Sequence, residues 1–340
     1  MATDTVSSSA HDQPTELSSQ YDTQLGLPHS TMQVLKDRIK LHYDLASDYY
    51  LSLWGEHIHH GYWPTPESEA TQSKEEAQIG LIQLLLGQAK LAPDTTVLDV
   101  GCGVGGTCRY LASKYGCTVT GITISTKQVE IANRLTEAAA ENESKEAGQS
   151  AYIEAPGTPD GDGFVKLGKG KVRFIELDAE KMADFFSGQE STFGAVWISE
   201  ALSHFPNKGL FFENASRVLQ PGGKLVLADW FKAEDLDETT FVNDIKLIED
   251  GMLLPPLCTQ KGYVDLAKQA SLNVFAEPKD ISQEVRKTWD ISWSLVQNPS
   301  LWAFAFTQGR DGIAFLQSFR AMRRGYADGS FRYAVMVFNK

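Results

Sequence analysis

Glu200 and His204 are the residues best placed for proton transfer in this sequence. They follow residues 196–198, an apolar run that predicts a buried strand, and strands of open α/β sheets end at the crevice where ligands bind. A helical turn after the strand puts side chains four residues apart on one face. Because an imidazole titrates near neutral pH, we expect His204 to act as a catalytic base beside Glu200. The alternative is that His204 only braces the loop as a hydrogen-bonded polar side chain.

A glycine-rich turn supplies a candidate ligand site. Residues 97–100 predict a strand that contains Asp99, the turn Gly101-Cys102-Gly103 follows it, and residues 108–114 predict a helix. Glycines allow the tight turn and the close approach of a ligand, while the helix N-terminus offers free backbone amides. A second apolar strand, residues 119–124, favours a nucleotide-type site over an isolated turn. A dinucleotide site needs an acidic residue about 20 positions further on, and residues 121–128 contain none.

These motifs point to a known family. The string VLDVGCGVGG at residues 97–106 resembles motif I of class I S-adenosylmethionine-dependent methyltransferases. The string GITISTKQ at residues 121–128 resembles the variant found in γ-tocopherol, coclaurine-type and cyclopropane-synthase-like members. The resemblance extends from about residue 39 to the end of the sequence, apart from one insertion, and it implies S-adenosylmethionine as the cofactor. At a finer level the chain is similar to O- or N-methyltransferases of fungal indole-alkaloid pathways of the roquefortine, meleagrin and oxaline type.

The resemblance also implies which residues bind the cofactor. Residues 42–50 and 54–63 are similar to the N-terminal segment that folds over the cofactor in tocopherol and sarcosine methyltransferases. Aromatic faces in that segment favour a sulfonium ion through cation–π attraction. Thr123 and Gln128 are expected to bind the ribose, and Asp178 with Ala179 the adenine, with Asp178 as a plain turn residue left as the alternative. The expected cofactor-binding residues are Tyr43, Tyr62, Asp99, Gly101, Cys102, Gly103, Thr123, Gln128, Asp178, Ala179 and Ser199.

The acceptor is expected to present a hydroxyl group. Relatives place a second glutamate where this chain has Ser203, and its loss weakens the case for an amine-binding pair of carboxylates. His60, in the segment similar to the family's pocket, is the alternative base. The expected acceptor-binding residues are the aromatic side chains Tyr49, Trp63, Trp230, Trp289, Trp293 and Tyr326. N-methylation, and a catalytically silent cofactor-binding protein with a regulatory role, stay open as alternatives.

Strands and helices alternate along the chain, which predicts a Rossmann-like α/β fold. By resemblance this is a seven-stranded methyltransferase sheet, mostly parallel with one antiparallel strand, plus a helical cap. The expected strands are residues 97–100, 119–124, 172–176, 195–198, 224–228, 272–276 and 331–338. The expected organisation is a disordered tail (1–28), a helical lid segment (29–92), the cofactor-binding core (93–230), a cap over the acceptor (231–320) and a final core strand (321–340). Residues 141–171, rich in glycine and charge, predict a flexible exposed insertion, with a role in a lid or a dimer contact as the alternative.

Composition limits the partners. A net charge of −13 argues against nucleic acids and anionic membrane surfaces, so a cyclopropane synthase acting on lipids is disfavoured. The four cysteines are typical of reduced thiols, and no apolar run is long enough for a bilayer, so we expect a cytoplasmic protein. His57, His59 and His60 lack the cysteines or carboxylates that complete a metal site. We therefore expect a small aromatic or heterocyclic acceptor and no metal, with a homodimer as an open alternative.

Overall fold

The computed structural model describes residues 32–146, 157–188, 190–296, 302 and 310–340, so the predicted tail 1–28 lies outside the described residues. A mixed sheet forms the centre, in the strand order β3-β4-β2-β1-β5-β6-β8-β7. Its strands are β1 (Thr96–Val100), β2 (Thr118–Thr123), β3 (Val165–Leu167), β4 (Gly170–Glu176), β5 (Phe193–Ser199), β6 (Leu219–Lys232), β7 (Asn273–Asp280) and β8 (Phe331–Asn339).

Helices and short helical turns surround this sheet. None of the described helices is long and apolar enough to cross a membrane. The helices are α1 (Met32–Trp54), α2 (Pro66–Thr71), α3 (Lys74–Ala89), α4 (Gly106–Tyr115), α5 (Thr126–Glu146), α6 (Met182–Phe185), α7 (Lys208–Val218), α8 (Glu238–Thr240), α9 (Lys246–Gly251), α10 (Gln260–Gln269), α11 (Ser282–Val285), α12 (Lys287–Val296) and α13 (Arg310–Asp328). Two 3₁₀ turns lie at Ala179–Lys181 and Leu202–His204, and a π-helical turn lies at Phe241–Ile245.

The predicted Rossmann-like α/β fold is confirmed, with two differences in the sheet. Strands β4, β2, β1, β5 and β6 run parallel, and β8 lies antiparallel between β6 and β7 as the resemblance implied. The sheet has eight strands rather than seven, and β3 is a second antiparallel strand. The sixth strand predicted at residues 272–276 is observed as Asn273–Asp280, with two irregularities in its pairing to β8.

The extra strand comes from the insertion at residues 141–171. The start of the insertion continues α5, and residues 147–156 lie outside the described residues. Val165 and Leu167 are buried, and their strand β3 pairs with β4. The prediction of an exposed loop was therefore wrong for the last part of the insertion, because two apolar residues at alternate positions bury one face of a short strand.

Helices cover both faces of the sheet because alternate residues of a strand point to opposite sides. In β1, Val97 belongs to the buried cluster formed with α3, α4 and α13, whereas Leu98 belongs to the cluster formed with α7 and α10. In β5, Ala195 and Val196 divide between the same two clusters. The sheet is therefore the middle of three layers, and the carboxyl ends of its parallel strands form the edge at which ligands bind.

Helix α1 lies over that edge. Lys40 Nζ is 2.7 Å from the carboxylate of Glu176 at the end of β4, and it donates to the carbonyl of Ile124 just after β2. One turn earlier, Lys36 Nζ is 2.7 Å from the carboxylate of Asp178. These contacts tie α1 to the ends of two neighbouring strands, so the helix covers one side of the crevice.

Candidate active site

A cavity opens beneath α1, at the carboxyl ends of β1, β2, β4 and β5. It encloses about 860 Å³ of space free of protein atoms, part of which is open to solvent. The predicted cofactor-binding residues that line it are Tyr43, Gly101, Gly103, Thr123, Gln128, Asp178, Ala179 and Ser199. Asp99 and Cys102 line a smaller space that shares Gly101, Gly103 and Ser199 with the first. Tyr62 alone among the predicted set lies elsewhere.

The glycine turn forms an open cradle at the end of β1. The backbone amide groups of Gly101 and Cys102 both donate to the carbonyl of Ile122 in β2, at 2.8 and 3.0 Å. Gly101 has a φ of +73° and Gly103 a φ of +54°, a region that glycine adopts without strain. No heavy atom lies within 4 Å of the position that a Cβ of Gly103 would take. The side of the turn that faces the cavity is therefore free for a ligand.

Polar groups at the ends of β2 and β4 complete the cradle. The hydroxyl of Thr123 donates to Oε1 of Gln128 at 2.6 Å, and both residues are buried. The carboxylate of Asp178 accepts from the backbone of Glu180 through one oxygen and from Lys36 through the other. A ligand that donates a hydrogen bond to Asp178 therefore does so beside the bond from Lys36 of α1.

Asp99 lies under the turn. It is 3% exposed, and its Oδ2 accepts a hydrogen bond from the thiol of Cys108 at 3.0 Å. Burial raises the pKa of Asp99 to about 7, and the Cys108 thiol opposes that shift. The carboxyl group of Asp99 is therefore shielded from solvent and is held next to the first turn of α4 by Cys108.

Glu200 is the centre of a second group of contacts, at the wall of the same cavity. Its Oε1 accepts from the backbone amide of His60 at 2.6 Å and from the hydroxyl of Tyr333 at 2.8 Å. Its Oε2 lies 2.9 Å from Nδ1 of His60. Burial raises the pKa of Glu200, but the attraction and hydrogen bonds of His60 outweigh burial and hold the pKa below its ordinary value. Glu200 is therefore ionised at neutral pH and accepts a hydrogen bond from the Nδ1–H group of His60.

The expected placement of Glu200 and His204 on one helical face was wrong. Glu200 has a φ of +55°, and His204 ends a 3₁₀ turn rather than an α-helical turn, so the four-residue spacing does not align the two side chains. Nε2 of His204 lies 3.2 Å from the hydroxyl of Tyr43 instead. Burial raises the pKa of Tyr43, so this phenol stays protonated.

An aromatic cluster surrounds His60, which is 2% exposed. The centroid of its ring lies 4.8 Å from that of Tyr333, 5.1 Å from Trp289, 6.0 Å from Trp230 and 6.3 Å from Tyr326. Nε2 of His60 is buried and has no hydrogen-bond partner among the described residues. Three of the predicted acceptor-binding residues, Trp230, Trp289 and Tyr326, therefore pack around His60.

Other residues predicted to bind the cofactor or the acceptor lie away from this cluster. Trp63 is 1% exposed, and Lys287 Nζ lies 5.0 Å from the centroid of its ring. Trp293 packs beside Arg320 and Arg323. The hydroxyl of Tyr62 lies 3.3 Å from Nζ of Lys279. Tyr49 belongs to α1, and its side chain lies outside the described residues.

Comparisons with known proteins establish the family. The family model described as mycolic acid cyclopropane synthetase matches residues 30–187. The chain is 30% identical over 319 residues to a chloroplast tocopherol O-methyltransferase of Oryza sativa subsp. japonica, which covers 90% of this chain and 78% of the relative. The chain belongs to the cyclopropane synthase and tocopherol O-methyltransferase family of S-adenosylmethionine-dependent methyltransferases. A second relative of the methyltransferase, the tocopherol O-methyltransferase of Arabidopsis thaliana, is 27% identical over 328 residues, 92% of this chain and 84% of the relative.

Solved structures agree with the fold of the methyltransferase. A mycolic acid cyclopropane synthase crystallised with S-adenosylhomocysteine superposes with a TM-score of 0.68 at 20% identity, over 89% of this chain and 98% of that chain. The methyltransferase uses S-adenosylmethionine as its cofactor. The residues present fit that group: the open side of Gly103 admits it, and Thr123, Gln128 and Asp178 offer polar groups around the same cavity.

Tyr333 donates to Glu200 and packs beside His60 in the candidate site, and the sequence analysis did not predict it. Residue Tyr333 of β8 stands opposite Trp230 of β6 in the antiparallel register. The prediction that the last strand runs antiparallel indicates this contact, because it implies that β8 lies beside a strand of the core, here the β6 strand that precedes the cap. The exact partner depends on the register, which the sequence pattern alone does not fix.

Two further residues fix the backbone around the histidines of the methyltransferase. Nε2 of the buried Gln78 in α3 donates to the carbonyls of His57 and His59, next to His60. Nζ of the buried Lys208 lies 3.3 Å from the carbonyl of Ser203 and 3.1 Å from that of Phe205, on either side of His204. Their acceptors are backbone carbonyls, which any residue provides, so no residue pattern in the sequence indicates these contacts.

Proposed function

We propose that the methyltransferase transfers a methyl group to a hydroxyl oxygen of a small aromatic or heterocyclic natural product. The observation that carries this proposal is the buried pair of Glu200 and His60. Because Nδ1 of His60 donates to Glu200, a neutral His60 keeps its lone pair on Nε2, inside the aromatic cluster. An uncharged hydroxyl can donate to that lone pair. The narrower assignment to fungal alkaloid biosynthesis rests on the sequence resemblance.

In this mechanism His60 takes the proton of the acceptor hydroxyl, and Glu200 stabilises the imidazolium ion that results. Bound S-adenosylmethionine supplies an electrophilic methyl group on sulfur. The cavity wall at Glu200 and the cluster around His60 adjoin, so proton removal takes place next to the cofactor cavity. General base catalysis of this kind contributes roughly 10²–10⁴-fold to a rate.

The aromatic cluster has a second role in the proposal. The rings of Trp230, Trp289, Tyr326 and Tyr333 enclose His60 and keep water away from Nε2. Exclusion of water strengthens the electrostatic effect of Glu200 and protects the methyl group from hydrolysis. Flat aromatic walls also favour a flat acceptor, since they bury its faces.

Glu200 favours a hydroxyl over an ammonium group as the reacting end of the acceptor. This carboxylate already accepts three hydrogen bonds, two from His60 and one from Tyr333. An ammonium group has to displace one of these donors to reach it. By resemblance, relatives have a second glutamate at the position of Ser203, so this chain lacks the second carboxylate that would favour a cation there.

The test is methyl transfer to matched acceptors that differ only in the nucleophile. Purified protein is incubated with methyl-labelled S-adenosylmethionine and pairs of phenols and anilines of the same skeleton, and mass spectrometry locates the label. We expect label on oxygen, and we expect His60→Gln to lose transfer while calorimetry shows retained cofactor binding. Label on nitrogen only, or full activity of His60→Gln, overturns the proposal.

A further inference from the structure

We propose that the acceptor carries a second oxygen beside the hydroxyl that is methylated, and that the indole N–H of Trp230 binds this second oxygen. The substrate class is then an ortho-diphenol, or the enol of a 1,3-dicarbonyl compound. The inference deepens the proposed O-methylation and rests on it, because both concern the cluster around His60.

Trp230 is held rigidly at this place. It stands in β6, it is 5% exposed, and its backbone amide donates to the carboxylate of Asp229 at 2.9 Å. The same carboxylate accepts the hydroxyl of the buried Tyr263 at 2.9 Å. The Trp230 ring therefore has a fixed backbone beneath it and aromatic neighbours on its sides.

The indole nitrogen of Trp230 is buried and has no hydrogen-bond partner among the described residues. An indole N–H can only donate, so the missing partner is an acceptor atom. Buried donors without partners are unfavourable and rare in native proteins, and a bound ligand is one way to satisfy them. Nε2 of His60, also buried without a partner, needs a donor in the proposed mechanism.

These two atoms make opposite demands on one small molecule. The ring centroids of His60 and Trp230 lie 6.0 Å apart, and the rings are nearly perpendicular at 71°. A hydroxyl donates to His60, and an oxygen that follows closely on the same skeleton accepts from Trp230. His204 lies 6.2 Å from Trp230 between ring centroids and lines the cofactor cavity, so this corner of the cluster borders the methyl donor site.

The charge around the cluster also favours a neutral dioxygenated acceptor. Four aromatic rings face His60, and the carboxylate of its ionised neighbour Glu200 already accepts three hydrogen bonds. An anionic carboxylate in place of the second oxygen would lie close to Glu200 and be repelled by it. An ether, carbonyl or hydroxyl oxygen carries no such penalty.

The experiment compares catechol with phenol on the wild type and on Trp230→Phe, which keeps an aromatic ring and removes only the N–H. Binding to protein loaded with S-adenosylhomocysteine is measured by calorimetry, and kcat/KM by methyl transfer. We expect the wild type to prefer catechol by about tenfold or more, which corresponds to roughly 1.4 kcal/mol. In Trp230→Phe this preference, taken as the ratio of the catechol value to the phenol value within the same variant, falls to about threefold or less. The control variant Trp54→Phe also removes an indole N–H group, but in α1 and outside the cluster, so it should keep the wild-type preference for catechol over phenol.

The outcomes separate this inference from the proposed function. Equal binding of catechol and phenol to the wild type overturns the inference and leaves O-methylation standing. A preference for catechol that survives in Trp230→Phe also overturns it, because another group then reads the second oxygen. Methyl transfer to nitrogen only, with catechol still bound through Trp230, overturns the proposed function and supports the binding site.

Discussion

Replacing Glu200 by glutamine tests the proposed proton transfer at its centre. Glutamine keeps the size of the side chain and removes its negative charge. In the wild type the carboxylate accepts a hydrogen bond from the Nδ1–H group of His60, which leaves Nε2 of this ring as the hydrogen-bond acceptor. An amide nitrogen that faces Nδ1 reverses this hydrogen bond, so that Nε2 carries the proton and cannot take one from the acceptor.

The expected size of the effect follows from the same contacts. A positioned base contributes about 10²–10⁴-fold to a rate, and loss of the carboxylate behind a catalytic histidine lowers kcat about 10⁴-fold in the serine protease triad. Glu200 also holds the backbone of His60, so the change disturbs both proton transfer and position. We expect kcat to fall about 10³-fold, or roughly 4 kcal/mol of activation free energy. The glycine cradle is unchanged, and cofactor affinity should stay within about threefold.

The assay is single-turnover transfer from labelled cofactor, with calorimetry for cofactor binding and circular dichroism for the fold. Tyr333→Phe is the matched control, because it removes one donor to Glu200 and leaves the charge in place. Its kcat should fall only about fivefold, near the value of one hydrogen bond. The reasoning is refuted by a folded, cofactor-binding Glu200→Gln variant whose kcat stays within about threefold of the wild type.

Three further changes test other parts of the site. Gly103→Val places a β-branched residue at a φ of +54° and puts its side chain into the open side of the cradle. Cofactor affinity measured by calorimetry should therefore fall at least about tenfold. An unchanged affinity would show that the cofactor does not bind against Gly103. Lys208→Met should lower the free energy of unfolding by about 1–3 kcal/mol in urea, because buried carbonyls lose their donor. Burial lowers the pKa of Lys208 to about 8, so between pH 8 and the ordinary pKa of 10.5 the unfolded chain binds a proton that the folded chain does not. The free energy of unfolding of the wild type should therefore rise with pH in this range, and Lys208→Met should lack that rise. The same dependence of the free energy of unfolding on pH in both proteins would contradict this reasoning. Gln78→Met frees the carbonyls of His57 and His59 and should lower kcat about tenfold at constant cofactor affinity, and an unaltered kcat would show that the segment is fixed by other contacts.

Local patterns were sufficient to predict the strand, the glycine turn and the helix at the end of β1. The strand before Gly101, the turn and the helix after it are encoded in adjacent residues, and the cavity contains the polar residues expected at the next strand ends. The parallel core of the sheet followed from the alternation of strands and helices. These features depend on short-range periodicity, which a sequence displays directly.

Contacts between distant segments were beyond that reach. The pairing of Glu200 with His60 depends on a φ of +55° at Glu200 and on the path of residues 55–64, and neither has a periodic signal. The strand β3 was concealed because its flanks are rich in glycine and charge, although Val165 and Leu167 alternate. Both errors arose where tertiary packing, rather than local propensity, decides the structure.

The hydrogen-bond partners of Glu200 come from segments that are synthesised at very different times. His60 precedes Glu200 by 140 positions, and Tyr333 follows it by 133. During synthesis the β6 strand is made well before β8, which lies between β6 and β7 in the finished sheet. Until β8 inserts, both of its neighbours present unpaired edges, and such long-range pairing is slow to form. The glycine cradle can therefore form before β8 is in place, whereas Glu200 gains its Tyr333 donor only after β8 has inserted between β6 and β7.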